Sequence, residues 1–324
     1  MTTPLLRPAS TLPLRRVLIT GASGFVAASL IRRLLNDGHE VHALVRARSD
    51  LWRLAELRDR LTFHTADLAD AAGVNVAFQA AKPEWVFHLA TARGEPDDCD
   101  VFLHGNIIGA ANLISGCRRY RPDRLIVFGS SLEYGHRDLP LREDMALAPS
   151  SLHGSTKACA SLLFQQAHRS EGLPVTVLRL FSVFGPWEGS ARLLPKAILA
   201  GLEGRDLHLT PPGIRRDYVF VDDVVEASLL AVATEATTGE IINVGTGIQT
   251  TNEDLVAAID RLTNGRMRIV AYDYPVHDTD ANHWVGDMRK CRTLLKWTPP
   301  TTLGEGLRTT LDWIQQHRHL LRYA

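Results

Sequence analysis

Cysteine is scarce in this chain: four residues in 324, at Cys99, Cys117, Cys159 and Cys291, with no C-x-x-C pair among them. That spacing excludes a disulfide-stapled secreted scaffold, and the expectation is reduced thiols in a cytoplasmic protein. An excess of one charge is missing too, since 36 Lys and Arg face 36 Asp and Glu. Without a basic surplus nothing points to nucleic acid. No apolar run approaches the ~20 residues that a membrane-spanning helix needs. Residues 1–14 lack the continuous apolar core of a signal peptide and read as a flexible arm. The 13 histidines form no H-x-x-x-H pair and no compact group with Cys or Asp, so no metal site is expected. There is no internal repeat.

What is present is a core. With 45% hydrophobic residues the chain can bury one large domain or two closely joined ones. Apolar, β-branched runs at Val17–Thr20, Glu40–Val45, Leu61–His64, Trp85–Leu89, Arg124–Phe128 and Val175–Leu180 predict strands. Helical patterns at Phe25–Asn36, Asp70–Ala81, Val101–Arg118 and Leu152–Ser170 lie between them. This alternation predicts an α/β fold, a Rossmann-type doubly wound parallel sheet, over residues 15–180. Residues 181–324 are less regular and predict a smaller, mainly substrate-binding region, partly interleaved with the sheet. Helices are expected there at Leu193–Ala200, Asp222–Thr234, Asn252–Leu262, Met288–Leu295 and Leu303–Gln316, the third opened by Thr251 and Asp254 at capping-box spacing.

The first strand runs into Arg16-Val-Leu-Ile-Thr-Gly-Ala-Ser-Gly-Phe-Val-Ala27. Gly21 permits a tight strand-to-helix turn, Gly24 lets backbone approach a pyrophosphate, and Ala27 allows close helix packing. Gly21, Ser23, Gly24, Phe25 and Val26 are therefore the expected phosphate-binding residues.

Further landmarks follow in order: Val86-Phe-His-Leu-Ala90, Asn106-Ile-Ile-Gly-Ala-Ala-Asn112, Val127-Phe-Gly-Ser-Ser-Leu-Glu-Tyr-Gly135, Pro149-Ser-Ser-Leu-His-Gly-Ser-Thr-Lys157, Leu178-Arg-Leu-Phe-Ser-Val-Phe-Gly-Pro186, Arg216-Asp-Tyr-Val-Phe-Val-Asp-Asp223, Asn243-Val-Gly-Thr-Gly247 and Leu295-Lys-Trp-Thr-Pro299. Over nearly its whole length the chain resembles the extended short-chain dehydrogenase/reductase family, of the nucleotide-sugar epimerase, dehydratase and ketoreductase type. The resemblance implies a nicotinamide cofactor, a nucleoside-diphosphate sugar substrate and a homodimer paired through the helices 101–118 and 152–170. It also implies an asparagine at 106 with a structural role, and Asp67, Leu68, Leu89 and Ala90 as cofactor contacts. Ser130, His153 and Lys157 fall at the catalytic positions.

At one of these the chain departs from the pattern, because His153 stands where the family has tyrosine. Lys157, four residues on, shares its helix face. Histidine, at about 6.5 unperturbed, exchanges protons near neutral pH without a lysine's help. It is the candidate proton donor, with Ser130 on the carbonyl oxygen and Lys157 on the nicotinamide ribose. Dehydratases carry an acid and a base directly after the Ser/Thr; here those places hold Ser131 and Leu132, and Glu133, one residue late, is expected on the opposite strand face.

The second strand ends in Arg46-Ala-Arg48-Ser49, with no carboxylate before Asp50. Two guanidiniums suit a 2′-phosphate, so NADP(H) is preferred over NAD(H). On the substrate side Thr91, Ser131, Ser182, Arg192 and Arg216 are expected, with His88 and Trp187 as further lining residues. An interdomain salt bridge is the other reading of Arg216. The favoured reading is an NADPH-dependent 4-ketoreductase. A nucleotide-sugar 4-epimerase and a catalytically impaired dinucleotide-binding protein remain as alternatives.

Overall fold

The computed structural model describes residues 13–92, 94–95, 98–138, 140–277 and 280–323, so the expected arm at 1–14 lies outside them but for Pro13 and Leu14. In chain order come β1 (Arg16–Thr20), α1 (Phe25–Asn36), β2 (Glu40–Val45), β3 (Thr62–Thr65), α2 (Ala71–Ala81) and β4 (Trp85–His88). A three-part helical stretch follows: α3 (Cys99–Phe102), a π-helical segment Leu103–Ile108, and α4 (Gly109–Tyr120). Then come β5 (Arg124–Ser130), α5 (Leu152–Glu171), β6 (Val175–Leu180) and β7 (Ser182–Phe184). The remainder is α6 (Leu193–Glu203), β8 (Asp206–His208), β9 (Arg215–Phe220), α7 (Val221–Ala233), β10 (Ile241–Val244), β11 (Gln249–Thr251), α8 (Asn252–Leu262), β12 (Arg268–Ala271), α9 (Arg289–Leu295) and α10 (Leu303–His317).

Seven strands form one sheet in the order β10-β6-β5-β4-β1-β2-β3, every neighbouring pair parallel. Alternate residues of β1 explain why: Val17 and Ile19 pack on one face with α1, α7 and α9, while Leu18 packs on the other with α2, α4 and α5. A sheet buried on both faces reads as continuous apolar runs, and parallel strands need the intervening helices. The chain winds outward in both directions from β1 and β4, so a crevice opens beyond their C-terminal ends, the place where such sheets bind ligands.

Residues 181–324 contribute to both bodies. β10 completes the large sheet beside β6. β7, β9 and β11 form a small sheet of their own, and its apolar side joins α6, α8 and α10 in a separate core around Phe184, Phe220, Leu255 and Leu307. Two expectations are corrected here. The single helix over 101–118 is interrupted by the wide π turn, which carries Asn106 inward. At α8 only half of a capping box forms: Thr251 accepts from Asp254 N at 3.0 Å, and the Asp254 carboxylate takes the Thr251 hydroxyl at 2.7 Å. An aspartate is one methylene short of the reach that glutamate has in this motif.

Candidate active site at the crevice

Gly21 turns the chain out of β1 at φ +68°, and a Cβ there would stand 2.6 Å from the Ala90 backbone. Only glycine fits that approach. Gly24 caps α1 without a side-chain hydrogen bond, and the first turn of α1 holds no acidic residue. Its leading N–H groups thus face the crevice with the positive end of the helix dipole, as a pyrophosphate requires. Leu89 and Ala90 close the other wall, their amides directed at Thr20: Leu89 N donates to the carbonyl at 3.2 Å and Ala90 N to the hydroxyl at 3.4 Å. The residues present fit a dinucleotide.

At the end of β2, Arg46 and Arg48 are exposed, and Arg46 N donates to Ser49 Oγ at 3.0 Å, forming a tight turn. Asp50 is spent on the Trp52 amide at 3.0 Å. Asp67 is exposed after β3 and accepts from Ala69 N at 2.9 Å; Leu68 is buried, its carbonyl held by Asn112 Nδ2 at 2.8 Å. Asn106 fulfils its structural role: its Oδ1 accepts from Ala92 N at 2.8 Å and its Nδ2 donates to Thr156 Oγ1 at 2.9 Å, pinning the loop after β4 to α5. Thr91 is exposed beside it.

Ser130 ends β5 and caps the 3₁₀ turn Ser131–Glu133, accepting from Leu132 N at 3.2 Å. Capping uses a lone pair of Oγ and leaves its proton for a ligand oxygen. Helix α5 starts beside this turn, with Ser151 as its cap at 3.1 Å from Gly154 N. A Cβ on Gly154 would come within 2.6 Å of the Leu132 carbonyl, so glycine lets the helix press against the turn. His153 is half-buried in the first turn of α5, its ring edge-on to Phe102 at 5.8 Å. Lys157 is buried and donates through Nζ to the Phe128 carbonyl of β5; burial holds its pKa below the usual lysine value, against the opposing charge of Glu133.

Glu133 is placed differently from the strand alternation expected. Residues 131–133 form a 3₁₀ turn, and the turn, not a pleat, carries Glu133 into the core. There its carboxylate meets Arg179 Nε at 2.8 Å, Ser130 N at 2.8 Å and Ser161 Oγ at 3.1 Å. Such a carboxylate is a structural anchor.

Among the substrate candidates, Ser182 is half-buried on β7 and Arg192 is exposed at the cap of α6. Ser131 is buried, and its Oγ accepts from Trp284 Nε1 at 3.1 Å. Arg216 is ion-paired with Asp280 and lies over the Trp284 ring at 5.9 Å. The neighbouring Asp217 is fully buried, binding Thr246 N at 2.7 Å and Gly247 N at 2.9 Å, and serves to tie β9 to the loop after β10. Two expected lining residues belong to the core instead. His88 bonds Thr20 Oγ1 at 2.7 Å and packs on Phe164; burial, helped by the Lys157 charge, lowers its pKa to about 3. Trp187 is buried between Arg32, 3.6 Å from its ring centroid, and Trp313, at 4.8 Å.

Two residues went unnoticed in the sequence. Arg53 donates to the Trp187 carbonyl at 2.8 Å and the Ser23 carbonyl at 3.3 Å, joining the glycine turn to residue 187. Glu188 is buried, with burial raising its pKa to about 8 against the pull of Arg192, the Gly185 amide and Arg53. No motif marks either, because Arg53 reaches residue 187 across 134 positions of sequence. Among the described residues no three His, Cys, Asp or Glu side chains gather as a metal site, and no helix is long and apolar enough to cross a membrane.

Residues 17–245 match the family described as NAD dependent epimerase/dehydratase. The chain is 30% identical to a dTDP-glucose 4,6-dehydratase of Streptomyces griseus, over 93% of this chain and 94% of that one. Among solved structures, an epimerase of Methanothermobacter thermautotrophicus superposes with a TM-score of 0.88 at 25% identity, covering 96% and 95% of the two chains. The UDP-glucose 4-epimerase of Thermotoga maritima, solved with UDP-glucose, gives 0.85 at 27% identity, covering 93% and 98%.

Proposed function

The chain belongs to the NAD dependent epimerase/dehydratase family and is an enzyme of the extended short-chain dehydrogenase/reductase type, and on that premise we propose that it reduces a nucleoside-diphosphate keto-sugar at C4 with NADPH. The observation that carries this reading is the end of β2, where two exposed arginines stand and no carboxylate is available for a ribose diol. A 2′-phosphate suits that charge, and NADP(H) suits a reaction that consumes its reductant. Dehydration is disfavoured by the same reading: Ser131 is held by Trp284, position 132 is Leu, and Glu133 is committed to Arg179.

When bound, the dihydronicotinamide supplies hydride to the carbonyl carbon. Ser130 directs its hydroxyl proton at the carbonyl oxygen, and His153, in the adjoining first turn of α5, gives that oxygen its proton. Lys157, anchored on β5, adds positive charge beneath them, which disfavours a protonated His153 and so promotes transfer of its proton to the carbonyl oxygen. Arg216 exchanges its Asp280 partner for the diphosphate, and Arg192 approaches from the cap of α6. The protein acts as a cytoplasmic homodimer paired through α3–α4 and α5, a reading supported by the exposed Val101, Leu103, Ile108 and Leu162 on those helices.

A second reading, an NAD-linked 4-epimerase, is favoured by the similarity to the Thermotoga enzyme. Incubation with a nucleoside-diphosphate 4-keto-sugar and either dinucleotide separates them. We expect stoichiometric NADPH oxidation, and Arg46→Ala with Arg48→Ala weakens NADPH binding at least about tenfold while sparing NADH. Equal affinity for both dinucleotides removes the NADPH assignment. Inversion at C4 without net oxidation establishes the epimerase, and release of a 4-keto-6-deoxy sugar from an unoxidised hexose overturns the exclusion of dehydration.

A further inference from the structure

We propose that Glu188 is a ligand-binding residue whose carboxyl receives a hydroxyl group, of a nucleotide ribose or of the sugar, at the seam between the glycine turn and the β7–β9 body. The inference rests on the reading of the crevice as a dinucleotide and nucleotide-sugar site.

Glu188 is 9% exposed, and its Oε2 has no hydrogen-bond partner among the described residues. Buried polar oxygens without a partner are rare, because an unmet one forfeits the hydrogen bonds that water would give it. A carboxyl retained under that cost has a use. Its charged and phenolic neighbours come from both sides of the seam. Arg53, whose charge acts on Glu188, is the residue that grips the Ser23 carbonyl in the glycine turn. On the other side the carboxyl acts on the Tyr218 phenol, which also lies in the fields of Arg216 and Asp280. Arg192, at the cap of α6, completes the ring of charged neighbours.

The chemistry of the group selects its partner. A phosphate or carboxylate brought to Oε2 would meet a carboxyl oxygen, with repulsion whenever that carboxyl is ionised. A hydroxyl has no such conflict, since it can donate to the carboxyl or accept from its acid form. The burial that favours the neutral acid therefore costs nothing in binding a hydroxyl.

Calorimetric titration of the full chain with NADPH, NADH, UDP and UDP-glucose tests this. Glu188→Ala is expected to weaken at least one of them about tenfold, and Glu188→Gln, which keeps a donor and an acceptor, to bind as the unmodified protein does. Loss with the dinucleotides places the hydroxyl on the cofactor. Equal loss with UDP and UDP-glucose places it on the substrate ribose, and loss with UDP-glucose alone places it on the sugar. Should Glu188→Ala fail to fold, Glu188→Met fills the volume without a hydrogen-bonding group and is expected to show the same loss. Unaltered affinity of a folded Ala or Met variant for all four ligands overturns the inference. If the unmodified protein binds none of them, the reading of the crevice fails, and the inference with it.

Discussion

On the proposed reading His153 donates the proton, and an imidazole in place of a phenol has a shorter reach and needs different surroundings. Phe102 and His153 meet in a T-shaped pair, and the cap of α5 fixes the backbone beneath. We expect His153→Ala to lower turnover about 100-fold, within the usual contribution of a general acid, with NADPH affinity nearly unchanged. Steady-state rates beside a direct cofactor titration check both halves; near-normal turnover removes His153 from the chemistry. At this scale the sequence revealed residues whose role is local. Gly21 is legible because its turn and its contact with Ala90 are steric demands made by neighbours in a short motif. The partners of Ser131 and Trp187 were hidden for the opposite reason: Trp284 and Trp313 lie more than a hundred residues away and no periodicity announces them.

Elements were legible in proportion to their length and period. The six strands of the first half and the helices from α1 to α10 follow apolar patterns that burial on two faces imposes. β7, β8 and β11 have three residues each, too few for an alternation to register, and β9 was visible only as a motif. The π segment has the same composition as a helix, and what widens it is the inward pull of Asn106, a tertiary cause. Exposure was not legible at all. Leu162 on α5 is 51% exposed and Ile108, where the π segment meets α4, is 44% exposed; an apolar pair of that kind belongs under a partner. On the proposed homodimer, Leu162→Glu is expected to yield monomer, as read by light scattering on an eluting peak. A variant that stays dimeric places the interface elsewhere.

For the molecule as a whole, two buried groups tilt stability against pH in opposite senses. His88 has its folded pKa depressed to about 3, so as pH falls below about 6.5 the unfolded chain takes up a proton that the folded one refuses, and stability is lost. Glu188 has its folded pKa raised from 4.5 to about 8. Between those values the folded chain holds a proton that the unfolded chain has released, so stability declines as pH rises through that window. Glu188→Gln is expected to lose this decline: its melting temperature relative to the unmodified protein rises from pH 4.5 to pH 8. A difference that stays constant across the window excludes Glu188 as its source.

The seventh strand of the large sheet carries a consequence for synthesis. β6 ends at Leu180, but its outer neighbour is β10, at Ile241–Val244. While the intervening chain emerges from a ribosome, β6 holds a bare row of amides and carbonyls, a template for any passing strand. β7, α6, β8, β9 and α7 must be made before that edge can close, so the large sheet is finished by a strand that the chain delivers about sixty residues later.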